Sequence, residues 1–97
     1  MPLIVKQGDL TQGHGNASPI PAQATITIGS VFIQNLPVVV TSDIIGVHGA
    51  PNPHPSVAGM GSTTVYAKNM PVWRDGDPAL CGDTANVMLG NVYADGN

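Results

Sequence analysis

The sequence repeats itself at a period of 34 residues. Ser30 to Asp43 reads Ser-Val-Phe-Ile-Gln-Asn-Leu-Pro-Val-Val-Val-Thr-Ser-Asp, and Thr64 to Asp77 reads Thr-Val-Tyr-Ala-Lys-Asn-Met-Pro-Val-Trp-Arg-Asp-Gly-Asp. Val31/Val65, Phe32/Tyr66, Asn35/Asn69, Pro37/Pro71, Val38/Val72 and Asp43/Asp77 pair without a gap, a register of aromatic, amide, proline and carboxylate that chance rarely keeps. The first half of the unit returns as Asn91-Val92-Tyr93-Ala94-Asp95-Gly96, and its end stands near the N-terminus as Gly8-Asp9, again 34 residues before Asp43. The chain is therefore close to three units, circularly offset. A fixed period means repeated supersecondary units that bury their apolar faces only by stacking on one another.

Each unit reads as β structure. A Val-aromatic-apolar step is followed by Asn-X-Pro or Asp-Gly as turn chemistry, then by an extended run closed at an Asp-containing turn. The alternation Thr25-Ile26-Thr27-Ile28 predicts a further strand before Gly29-Ser30. Helical alternatives fail on composition. With 12 Gly and 9 Pro in 97 residues, the longest stretch free of both is Ser62–Met70, shorter than the average helix of about 11 residues. That excludes a helical bundle and an α/β fold. The expectation is an all-β, compact single domain over residues 1–97, with approximate threefold symmetry.

The net charge is −3 and the three cations Lys6, Lys68 and Arg74 are scattered, so no basic stripe exists to neutralise the phosphates of a nucleic acid. Only 9% of the residues are charged while 42% are apolar, too hydrophobic for a disordered tail and too poorly charged for an ordinary free surface. Part of that surface is expected to meet a partner. No apolar run approaches the roughly 20 residues that cross a bilayer, and Met1-Pro2-Leu3-Ile4-Val5-Lys6 lacks the order of a signal peptide. The expectation is a soluble chain without a cleavable export signal. A domain this small barely offsets its conformational entropy with one core, so a staple is expected. One cysteine rules out an internal disulfide, leaving a metal or a partner.

The three histidines and the cysteine fall into the phase of the repeat. Asp9 precedes His14 by five residues, Asp43 precedes His48 by five, and Asp77 precedes Cys81 by four. One candidate ligand thus hangs from the same point of each unit, and three equivalent loops of a threefold body converge near its axis. His54, within Pro51-Asn52-Pro53-His54-Pro55, follows His48 by six residues on a proline-stiffened segment that can present a fourth ligand at low entropic cost. Three imidazoles and a thiolate suit one tetrahedral, structural Zn²⁺ with no open position. The spacings match no local zinc signature. A lone histidine is commonly a surface or satisfied core residue, and a lone cysteine a small buried apolar group; the metal reading rests on the shared phase.

These features resemble the PAAR-repeat family, the conical proteins that tip the spikes of contractile phage tails and type VI secretion systems. The family pattern is a Gly-Ser step, a Val-aromatic strand, an Asn-Gly-X-Pro turn, a Pro-Ala-Ala-Arg run, then Gly-Asp and a His or Cys. It is similar to Gly61-Ser62 through Pro71-Val72-Trp73-Arg74-Asp75-Gly76-Asp77 with Cys81-Gly82, and again to Gly29-Ser30 through Pro37-Val38-Val39-Val40-Thr41-Ser42-Asp43 with His48-Gly49. Here the name-giving runs are Pro-Val-Val-Val and Pro-Val-Trp-Arg, Ser42 stands where the family has Gly, and the Asn-Gly pairs read as Asn35-Leu36 and Asn69-Met70. The resemblance implies a pyramidal domain of three pseudo-threefold β repeats, with zinc near the apex on His14, His48, His54 and Cys81. Its broad base would cap a trimeric β-helical spike, one copy per trimer, and its tip would make transient contact with a target cell membrane. It implies a phage virion baseplate, or the bacterial cytoplasm before ejection. No catalysis is expected, and any effector role is expected to be non-covalent. The steps Val31-Phe32, Val65-Tyr66 and Val92-Tyr93 are equivalent candidates for the base, and equally for core.

Particular residues bear on other functional classes. Asp83-Thr84-Ala85 resembles the Asp-Thr-Gly/Ala element of dimeric aspartic proteases, whose two chains share a proton between carboxylates. The apolar strand before it and the later apolar-apolar-Gly segment are missing. A zinc hydrolase needs an open coordination position and a general base; without Glu that base would be Asp75 or Asp77, both more simply read as turn residues. A free-standing, metal-stabilised binding module is the remaining alternative.

Overall fold

Three buried extended segments, each one repeat from the next, hydrogen-bond to one another and close a ring. The Val39 N–H donates to the Val5 carbonyl, the Trp73 N–H to the Val39 carbonyl, and the Val5 N–H to the Trp73 carbonyl, each at 2.9 Å. One residue to either side, the bridges Ile4↔Arg74, Lys6↔Val38 and Val40↔Val72 follow the same circular order. Strands this short cannot form a sheet separately, so each satisfies its buried peptide groups on both neighbours. Side chains alternate across an extended segment, and the core divides accordingly. Val5, Val39 and Trp73 join one cluster with Ile45 and the alanines 22, 24, 58, 79 and 85. Ile4, Val38 and Val72 join a second with Val40, Ala67 and Ala94.

The computed structural model describes residues 2–13, 19–24, 31–48, 54–87, 90 and 92–94, with the main chain alone at 47–48 and 54–55. Over these residues the protein is compact and all-β, without a helix, and has a radius of gyration of 12.2 Å. The described residues form eight strands, β1 (Leu10–Thr11), β2 (Phe32–Ile33), β3 (Leu36–Pro37), β4 (Ile44–His48), β5 (His54–Val57), β6 (Tyr66–Ala67), β7 (Met70–Pro71) and β8 (Ala85–Asn86). They pair antiparallel as β1–β8, β2–β3, β4–β5 and β6–β7. The strand expected at Thr25–Ile28 and the following Gly29-Ser30 lie outside the described residues.

β2–β3 and β6–β7 are hairpins 34 residues apart, with Phe32 opposite Pro37 and Tyr66 opposite Pro71. Both central turn residues are left-handed in each: Gln34 and Asn35 at φ 53° and 66°, Lys68 and Asn69 at 50° and 66°. This is the two-residue type I′ geometry whose twist matches the flanking strands. The turn pair therefore ends at the asparagine instead of beginning with it, and Leu36 and Met70 already belong to strands, because the left-handed wells must precede the first pairing residue. The chain ends make a comparable pair. Leu3 bridges Tyr93, the Ile4 N–H donates to the Val92 carbonyl at 2.9 Å, and the Ala94 N–H to the Pro2 carbonyl at 3.0 Å. Ser62 explains the Gly-Ser step: its Oγ accepts the N–H groups of Thr64 and Val65 at 3.1 and 2.9 Å and bends the chain into β6. Gly61 is needed before it, since a Cβ there would collide with the Val72 carbonyl.

The aspartates at 9, 43 and 77 close three copies of one turn. Each carboxylate accepts the N–H three residues earlier, from Lys6 at 2.9 Å, Val40 at 2.9 Å and Arg74 at 2.8 Å. The Lys6 ammonium and the Arg74 guanidinium also pair with Asp9 and Asp77. The residue before each aspartate is left-handed: Gly8 at 96°, Ser42 at 77° and Gly76 at 85°. A side chain in that well costs about 1–2 kcal/mol, and glycine returns part of it as unfolded-state entropy, about 0.5–1 kcal/mol. Ser42→Gly is therefore expected to stabilise by about 0.5–1 kcal/mol, raising Tm by a few degrees. Thermal unfolding followed by circular dichroism checks this; an unchanged or lower Tm would show that the turn imposes no such strain.

Candidate functional site

Each Asp turn launches a loop that returns at a buried alanine. Ala22, Ala58 and Ala85 donate their N–H groups to the carbonyls of Asp9, Asp43 and Asp77 at 2.7, 2.9 and 3.0 Å, and accept from Gly8, Ser42 and Gly76. By sequence His14 falls between Asp9 and Ala22, His48 and His54 between Asp43 and Ala58, and Cys81 between Asp77 and Ala85.

The second loop is the β4–β5 ribbon. Its register slips between Ile44 and Gly46, which leaves Ile44 exposed and sends Ile45 into the core. Beyond this bulge the pairing is regular: Gly46 opposite Ser56, Val47 opposite Pro55, His48 opposite His54. Opposed residues share a face and alternate residues repeat it, so Gly46, His48, His54 and Ser56 occupy register positions of one face. Ser56 is fully buried, and its Oγ lies 3.1 Å from Cys81 Sγ. Cys81 itself is half-buried in a tight turn. There the Gly82 N–H donates to the Ala79 carbonyl at 3.1 Å, the Ala79 N–H to the Asp83 carbonyl at 2.8 Å, and the Leu80 N–H to the Val57 carbonyl at 2.9 Å.

The first loop approaches the same turn. Thr11 pairs with Ala85, the Gln12 N–H donates to the Thr84 carbonyl at 2.8 Å, and the Gly13 N–H to Asp83 Oδ1 at 2.8 Å. This zipper runs along residues 85, 84 and 83 toward Cys81, and Thr11 clasps Ile20 through two further bonds at the foot of the loop. His14 lies outside the described residues, as do Gly49 and Pro51-Asn52-Pro53. Cys81 is the one candidate ligand whose side chain is described, and among the described residues no three His, Cys, Asp or Glu side chains cluster. The donor set is nonetheless compatible with a Zn²⁺ ion. Two histidine positions stand opposite one another, and the ribbon face that carries them also carries the residue in contact with the thiol sulfur.

Sequence reasoning missed Ser56 and the anchoring role of Asp83, because neither follows the repeat in residue type. Asp83 is buried and its Oδ1 accepts the Gly13 and Thr84 N–H groups, both at 2.8 Å. Asp75 Oδ1 accepts the Val87 N–H at 2.8 Å, and Asp77 grips Arg74 through two bonds of 2.9 and 3.0 Å. All three carboxylates therefore hold main chain or turn geometry. On the hairpins, Val31 and Val65 pack against the second core cluster. Their aromatic neighbours Phe32 and Tyr66 do not, at 51% and 55% exposed, and in the third step both Val92 and Tyr93 are exposed, at 39% and 52%. The first two Val-aromatic steps thus divide between core and surface, and the third lies at the surface.

No family model matches the chain, and no curated protein matches it significantly.

Proposed function

We propose that this protein is the structural tip of a contractile injection machine, a phage baseplate spike or a type VI secretion spike. In this reading it is a pyramidal, pseudo-threefold domain that caps a trimeric β-helical spike, one copy per trimer, and sharpens it for penetration of a target cell envelope. One Zn²⁺, held by His14, His48, His54 and Cys81, would pin the loops together at the apex. No catalytic step is assigned to it.

The observation that carries the proposal is the ring through Val5, Val39 and Trp73. A single chain whose equivalent segments hydrogen-bond in circular order can offer three similar edges to a partner with true threefold symmetry. It can thereby cover that partner's otherwise unpaired strand ends. The exposed Phe32, Tyr66 and Tyr93 supply apolar contact of the kind that centres interfaces. The low proportion of charge fits a surface that is covered in use.

Native mass spectrometry of the untagged protein, alone and with a trimeric β-helical spike fragment, tests the reading. The expected species are a monomer carrying one zinc and a complex of one monomer per trimer. A zinc-bearing monomer that ignores the trimer at micromolar concentration would instead make this a free-standing metal-stabilised module. A metal-free dimer would overturn the apex site and return attention to the carboxylate of Asp83.

A further inference from the structure

The residue two positions before each returning alanine reaches into a neighbouring loop. Asp83, before Ala85, accepts the N–H of Gly13 in the first loop. Ile20, before Ala22, lies against Gly46 in the second, where its Cδ1 would stand 3.6 Å from a Cβ built on that glycine. Ser56, before Ala58, meets Cys81 in the third. One position of the fold thus clasps the next loop in a circle, each time with chemistry matched to its target: a carboxylate for an amide, an aliphatic tip for a glycine, a hydroxyl for a sulfur.

We propose that the Ser56 hydroxyl is the outer hydrogen-bond donor that positions Cys81 Sγ as a metal-bound thiolate; this rests on the zinc reading above. A buried hydroxyl requires a partner. A neutral thiol is a weak one, whereas an ionised sulfur is a strong acceptor with no proton of its own, so the hydroxyl must donate. At 3.1 Å the contact is a hydrogen bond, and Ser56 is wholly shielded from water that could compete for it. Gly46 stands opposite Ser56 in the ribbon, and the tip of Ile20 lies over that glycine. Groups that bond to a ligand in this way fix its orientation, and their loss typically lowers metal affinity about 10–100-fold.

The test loads the protein with Co²⁺ as a spectroscopic stand-in for zinc and reads affinity together with the sulfur-to-cobalt charge-transfer band. The wild type should bind one equivalent and show the band. Ser56→Ala should bind about 10–100-fold more weakly, with the band moved to longer wavelength, because a thiolate without its donor gives up electron density more readily. Ser56→Thr and Ser56→Val form a second pair of equal shape, so the comparison stands even if the alanine variant does not fold: the threonine protein should keep the wild-type band and the valine protein should not. Bands that coincide between threonine and valine, or an alanine variant whose band is unshifted, would overturn the role of Ser56 while leaving the metal in place. A wild type that binds no cobalt and shows no band would overturn the zinc reading itself.

Discussion

Trp73→Ala should leave the chain largely unfolded at 37 °C. Trp73 is the largest fully buried side chain, its main chain forms one side of the central ring, and its indole N–H donates to the Pro78 carbonyl at 3.1 Å. Removing a buried Trp or Phe ring costs about 3–5 kcal/mol through lost transfer energy and the cavity left behind. A small domain has about 5–15 kcal/mol in all, and one of this length belongs near the lower end. The effect is also not local, since the same residue supports the turn of Asp77 and the loop of Cys81. Trp73→Phe should retain most of the packing and lose the indole bond, at about 1–2 kcal/mol. Urea unfolding of the two variants checks this. If Trp73→Ala unfolds within 1 kcal/mol of the wild type, the residue does not organise the core.

Chelation should have an effect of similar size. With a structural zinc, binding free energy is folding free energy, so 1,10-phenanthroline or Cys81→Ser should each remove on the order of 5 kcal/mol. The two losses should not add. Melting curves of wild type and Cys81→Ser with and without chelator separate the cases. The wild type should fall to the mutant's Tm when chelated, and the mutant should ignore the chelator. A Cys81→Ser protein that melts with the wild type would make the cysteine an ordinary packed residue.

The parts of the fold legible in the sequence are those that the backbone itself repeats. Asp9, Asp43 and Asp77 recur because each takes the N–H of the residue three before it, which a short side chain with an acceptor oxygen at that phase reaches. Pro37 and Pro71 recur because each stands opposite an aromatic at the end of a hairpin. The turn was misplaced by one residue because Gln34 and Lys68 carry no signal for the left-handed well that they occupy. The candidate site was legible as a phase and no further. His48 and His54 look merely close in sequence, and their opposition depends on a bulge between Ile44 and Gly46, for which the lone glycine inside the strand is the one local signal. Ser56 and Asp83 were illegible for another reason. They serve loops distant in the chain, so their chemistry follows what they touch and not where they stand in the repeat.

The pairing of Leu3 with Tyr93 also governs when the molecule can form. These residues are ninety apart, and the bonds from Ile4 to Val92 and Ala94 to Pro2 lie beside them. A ribosome adds about 5–20 residues per second, so the first extended segment emerges seconds before the strand that it needs. Through that interval Ile4 and Val5 have only part of their eventual surroundings. Closure of so long a loop is entropically slow, and refolding is correspondingly expected to be unhurried for a chain of this size. The circle through Val5 and Val39 stays open until Trp73 has been made, and until Val92 to Ala94 follow, the main chain of Pro2 to Ile4 lacks the partners on its other side.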